Sequence, residues 1–187
     1  MAAYLHPFGL AYLAATLVAS GGGHLAAFST TVRVIGEHRV VPGAAATLVA
    51  GALVTVELGL AAAAVAALAG GLDAAAPAIL AAGAATAGAF LLYLWRLLRA
   101  PVRPTSCGCS PIPARLTPLA ALPAAVLLLA CATGLASATF DPPASLAALY
   151  EWAGVGASLP VMAGATLAVL VLLYPSAITP APSTARP

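Results

Sequence analysis

Charge is what this sequence has least of: among 187 residues there are seven Arg, five Asp or Glu, and no Lys at all. Soluble domains carry about 25% charged residues, against 6% here. A water-soluble globular fold is thereby excluded. A net charge of +2 offers no basic face to neutralise a phosphate backbone, so nucleic acid drops out as a partner. Cysteine is scarce as well, and three residues are too few to staple a small secreted scaffold. The chain has no glycine-rich phosphate loop, no His-Glu-x-x-His helix and no nucleophile elbow. Phosphoryl transfer and hydrolysis therefore lack their usual machinery.

What the chain does have is apolar surface. It is 63% hydrophobic with a mean hydropathy of +1.06, the composition of an integral membrane protein. A membrane span takes roughly 20 apolar residues, and five stretches reach or approach that length: 8–29, 43–69, 75–98, 116–138 and 153–174. The expected fold is all-α, an integral membrane helical bundle. A four-helix core covers 1–138, an outer loop and a fifth transmembrane helix cover 139–175, and a disordered Pro-, Ser- and Thr-rich tail covers 176–187. The leader Met1 to Pro7 contains no Lys or Arg, so the first stretch reads as a retained span and not a signal peptide. Pro160 falls inside the fifth stretch and Pro175 reads as its stop. Gly51, Gly59, Gly83 and Gly88 suit close helix contacts, although a GC-rich coding bias accounts for them equally well.

Charge placement predicts an orientation. With five spans, Arg33, Arg39, Arg96, Arg99, Arg103, Arg115 and Arg186 fall on one side, while Asp73, Asp141 and Glu151 fall on the other with no Arg. The positive-inside rule makes the Arg-bearing side cytoplasmic and places the N-terminus outside. The expected location is the inner (cytoplasmic) membrane of the cell. Tyr93 and Trp95, and likewise Tyr150 and Trp152, read as interfacial anchors.

Two loops have room for chemistry, about 30–42 and about 99–114. The second carries Cys107-Gly108-Cys109 in a Pro-framed polar setting. Two thiols separated by one glycine close a ring only with strain, and a strained exposed disulfide is readily exchanged. Arg103 and Arg115 nearby favour thiolate over thiol. The same spacing also suits a soft-metal ligand pair. Cys131 lies well along the fourth stretch, roughly 30 Å from the loop pair, and reads as a small buried helix residue.

Glu57 falls near the middle of the second stretch, where an ionised carboxylate is expensive and function is the default reading. A protonated carboxyl bonded to a neighbouring helix is the structural alternative. Its expected partner is His24 on the adjacent first span; such a pair holds a proton or the polar head of a quinone-like ligand. His38, in the first loop on the side of the Cys pair, reads as a solvated histidine, or else as a base or third metal ligand.

The order of these features resembles a known family. His24 and Phe28 at the end of the first span, Val40-Val41-Pro42 closing the loop, Glu57-Leu58-Gly59 in the second span, Arg at the end of the third, and then Cys107-Gly108-Cys109 resemble MauE, of the MauE/DoxX redox-associated membrane proteins. The likeness covers about residues 8–138. Members typically continue the Cys-Gly-Cys with Phe-Gly, where this chain has Ser110-Pro111. The resemblance implies a four-helix membrane core tied to methylamine utilisation, working beside a thioredoxin-like partner in maturing a disulfide-rich exported subunit. It fits thiol–disulfide oxidoreductase chemistry at Cys107 and Cys109, and the architecture also looks like the DoxX/VKOR-like bundles of quinone-linked disulfide-forming enzymes, a fold-level likeness that makes a quinone near Glu57 the candidate cofactor.

That maturation takes place outside, whereas the Arg count puts the Cys pair inside. Either electrons cross the membrane, or the compartment differs, or the charge rule fails here. Two other classes of function stay open: a copper or zinc handler using Cys107, Cys109 and His38, and a structural subunit of a membrane complex.

Overall fold

In hydrocarbon a backbone must satisfy its N–H and C=O groups internally, and for a short apolar segment only the helix does so. The computed structural model describes residues 2–70, 72–99, 118–140 and 158–178, and among them there is no strand. The described residues form six helices: α1 (Ala2–Ala26), α2 (Phe28–Glu37), α3 (Ala46–Leu68), α4 (Ala76–Arg99), α5 (Leu122–Phe140) and α6 (Ser158–Ile178). Short 3₁₀ turns, Gly43–Ala45, Asp73–Ala75 and Pro118–Ala121, lead into α3, α4 and α5. Leu5–Ala26, Gly43–Leu68, Ala76–Arg99 and Pro118–Ser137 are each long and apolar enough to cross a bilayer. The protein is a multi-pass helical membrane bundle, as its composition requires. The 21 residues of α6 lie along α1 and extend about 31 Å.

Three boundaries differ from those the sequence leads one to expect. Helix α1 begins before Pro7 and carries it, fully buried, inside the helix. Helix α6 runs through both prolines. Pro160 sits in its first turn, where the missing N–H has no partner to lose. At Pro175 the helix gives up a backbone bond and continues to Ile178. The loop expected over 30–42 is largely α2, an amphipathic helix with Thr31 and Val34 buried and with Arg33 and Glu37 paired across its exposed face at 2.6 Å.

Helix α1 is the hub. Leu10, Tyr12 and Leu13 are wholly buried, and α3, α5 and α6 all pack on it. Helix α4 packs chiefly on α5 and only lightly on α3. The outer surface is apolar: Leu48 is 77% exposed, with Leu129 and Met162 at 64%. Such an inverted surface is stable against lipid tails and not against water.

Close helix contacts are made by other glycines than composition suggests. A Cβ on Gly9 would lie 2.8 Å from the Ala130 carbonyl oxygen, and one on Gly164 would lie 2.7 Å from that of Phe8. These positions fix the approach of α5 and α6 to α1. Gly83 does serve as expected, facing Leu13 and the Cys131 sulfur. A Cβ on Gly51, Gly59 or Gly88 would meet no atom of another described element within 4 Å. Glycine content alone does not say which face of a helix is turned to its neighbour.

Candidate functional site

On α3 the buried positions Ala50, Val54, Glu57, Ala61 and Ala64 alternate by four and three residues, a seam of the kind that packs helix on helix. Small alanines let α1 approach closely, and Glu57 interrupts them. Opposite it on α1 stands Gly21, where an added Cβ would be 3.0 Å from the Glu57 Cβ. The absent side chain lets the residues on either side of Gly21 reach the carboxyl group.

Ser20 Oγ donates to Glu57 Oε1 at 2.8 Å, and His24 Nδ1 lies 2.8 Å from Oε2. All three are buried, Glu57 at 1% and His24 at 2% exposure. The expected pairing of His24 with Glu57 is therefore present. Ser20 was missed by the sequence reading, although its place four residues before His24 puts both on one helical ridge. A buried carboxyl needs partners for both oxygens, and this one has them. A ligand head placed at Glu57 would have to displace one of the two.

His38 follows the last turn of α2 and is buried, not solvated as a loop residue would be. Its Nδ1 is hydrogen-bonded to the Tyr93 hydroxyl of α4 at 2.5 Å. Tyr93 is thus turned into the bundle, whereas Trp95 is half-exposed beneath the Arg99 guanidinium, 4.3 Å from the ring centre, as an interfacial anchor should be. Where α3 and α4 diverge, a cavity of about 470 Å³ opens between α2, α3 and α4. Val49, Leu53 and Val56 line one wall and Thr86, Phe90 and Tyr93 the other, with Thr31 and His38 beside them. Its size and apolar lining are those of a small-molecule site. Val56 faces this cavity while its neighbour Glu57 faces α1, and the Thr31 hydroxyl points at the carbonyl oxygens of Ala27 (3.3 Å) and His24 (3.5 Å).

Cys131 is a free thiol, fully buried against Gly83, which agrees with a packing role. Cys107 and Cys109 lie outside the described residues, as do Arg103, Arg115, Tyr150 and Trp152. Among the described residues no group of three or more His, Cys, Asp or Glu is placed to hold a metal ion.

No curated protein and no solved structure matches the chain. A family model does: that of methylamine utilisation protein MauE, over residues 2–140. The matched range takes in α1 to α5, the Ser20–Glu57–His24 cluster, the His38–Tyr93 pair and both loop cysteines, and the chain belongs to the MauE family.

Proposed function

We propose that this protein exchanges electrons between thiols and disulfides at the inner (cytoplasmic) membrane, with Cys107 and Cys109 as the reacting pair and a thioredoxin-like protein as partner. Maturation of disulfide-containing exported proteins, within methylamine metabolism, is the process that family membership favours. One structural observation carries the reading. Helix α4 ends at Arg99 and the turn Pro118–Ala121 packs back on α4, so the described residues that flank the two cysteines in sequence lie together toward the α2 end. That end also holds the buried His38–Tyr93 contact and the apolar cavity.

In the exchange, one loop thiolate attacks a sulfur of the partner's disulfide and the other partner sulfur leaves as thiolate. The second loop thiolate then attacks the mixed disulfide. The partner departs as a dithiol and Cys107 and Cys109 are joined, two electrons having passed to the partner; the reverse sequence oxidises it. A quinone supplies a two-electron, two-proton acceptor when bound. The cavity beside His38 and Tyr93 fits such a ring better than Glu57 does, because both Glu57 oxygens are engaged. Arg33, Arg39, Arg96 and Arg99 gather at the α2 end and Asp73 at the opposite end, which favours a cytoplasmic Cys pair and an outside N-terminus.

The test is a Cys109→Ser variant isolated from its native membrane under acid quench. The reading expects a reductant-sensitive adduct between Cys107 and a thioredoxin-like protein, absent when both cysteines are Ser. A chain that stays unlinked in every variant overturns it. So does stoichiometric copper or zinc that is lost on Cys107→Ser.

A further inference from the structure

Polar side chains recur every fourth residue along the hub helix: Tyr12, Thr16, Ser20 and His24. All four are buried, at 0%, 5%, 8% and 2% exposure. Residues four apart stack on one helical ridge, and three such steps extend about 18 Å, more than half of a hydrocarbon core of about 30 Å. The ridge turns slowly around α1, from the α5 side, where Tyr12 has the Cys131 thiol as a polar neighbour, to the α3 side, where Ser20 and His24 meet Glu57.

Its two halves differ in one respect. Ser20 and His24 are bonded to Glu57, whereas the Tyr12 hydroxyl and Thr16 Oγ1 are buried beside each other with no hydrogen-bond partner on a neighbouring helix. An unsatisfied hydroxyl in an apolar interior is destabilising, and apolar side chains of equal shape, Phe and Val, would remove that penalty. Polar residues used as helix-to-helix glue would have partners across the interface. These two have none, and they continue the line of the bonded half. Hydroxyls retained at an energetic cost, in line with a buried carboxyl–imidazole pair, have the composition of a proton relay.

We propose that Tyr12, Thr16, Ser20 and the Glu57–His24 pair form a proton path through the core of α1. Adjacent ridge positions have Cβ atoms about 5–6 Å apart, a gap that one bridging water closes. A proton reaching the Tyr12 oxygen displaces that hydroxyl's own proton onward to Thr16 and then to Ser20. From Ser20 it passes to the Glu57 carboxylate and to His24. Every hydroxyl keeps one O–H, now reoriented, and a single proton is moved. Thr31, against the His24 carbonyl and on the cavity wall, separates the His24 end of the path from the cavity at the α2 end. The path is independent of the loop cysteines and stands or falls without them.

The experiment uses the full chain reconstituted in phosphatidylcholine–phosphatidylglycerol vesicles loaded with a pH-sensitive dye. A potassium diffusion potential set by valinomycin drives protons inward. Wild-type vesicles are expected to acidify faster than empty ones. Thr16→Val and Tyr12→Phe should each slow the flux by about tenfold or more, the effect of one lost hydrogen-bonding link, without lowering the unfolding temperature in detergent. Thr16→Ser, which keeps the hydroxyl, should retain the flux. Wild-type vesicles no leakier than empty ones, or Thr16→Val and Tyr12→Phe at the wild-type rate, would overturn the path.

Discussion

His24 Nδ1 and Glu57 Oε2 stand 2.8 Å apart in the seam between α1 and α3, both almost wholly shielded from solvent. Removing one member of such a pair strands the other in an apolar interior. Glu57→Leu and His24→Leu are each expected to destabilise the bundle by about 3–5 kcal/mol, and the double replacement by less than the sum. Denaturant unfolding in detergent micelles, run as a double-mutant cycle, checks this; additive losses would mean that the two groups do not interact.

Gly21 sets the distance across which that pair forms. A Cβ there meets the Glu57 Cβ at 3.0 Å and the Leu58 side chain at 3.0 Å. The leucine end can swing aside, but the Glu57 Cβ is fixed to the α3 backbone. Gly21→Val should therefore push α3 outward and cost about 1–3 kcal/mol. In a Glu57→Leu background the same change should cost less, since the contacts it disrupts are already gone.

The spans were legible because hydropathy over about 20 residues needs no knowledge of neighbours, and the pairing of His24 with Glu57 followed from two polar residues on consecutive spans. What escaped was whatever depends on helix phase. Ser20 is a common residue on Ala-rich helices, and only the facing of α1 toward α3 makes it a ligand of Glu57. Tyr93 sits two residues from Trp95 and so about 200° around the helix from it; one points inward to His38 and the other outward to lipid. Helix α2 is hard to tell from a loop in the sequence, because its charges mask a short amphipathic period. Gly9, Gly21 and Gly164 could not be told from the unopposed glycines without the crossings themselves.

The three cysteines should separate cleanly by reactivity. Cys131 is wholly enclosed by α1, α4 and α5 and should resist maleimide until the protein is unfolded, and Cys131→Ala should leave thiol exchange unchanged. In intact cells an impermeant maleimide should label neither Cys107 nor Cys109, whereas a permeant one should label both. Strong labelling by the impermeant reagent would reverse the orientation argued from the Arg distribution.

The His38–Tyr93 bond ties the end of α2 to α4 across the mouth of the cavity. Tyr93→Phe keeps the ring and deletes the hydroxyl, so the expected loss is about 0.5–1.5 kcal/mol of stability. A quinone analogue held in the cavity should bind more weakly to this variant, as judged by equilibrium dialysis against detergent micelles. Equal affinity in the variant would place the ring elsewhere in the bundle.

Helix α6 lies outside the range that matches the family, yet it packs along α1 and at one position tolerates no side chain. A Cβ on Gly164 would lie 2.7 Å from the Phe8 carbonyl oxygen and 3.1 Å from the Tyr12 nitrogen, both backbone atoms of the hub. Neither can move without shifting α1. Gly164→Leu should therefore lift α6 away and leave α1 to α5 packed, because Ser20 and His24 reach Glu57 further along α1 than the stretch that α6 covers at Gly164. Limited proteolysis in detergent should then release α6 while the remaining core keeps its unfolding temperature within a few degrees. Loss of the whole bundle would mean instead that α6 completes the core.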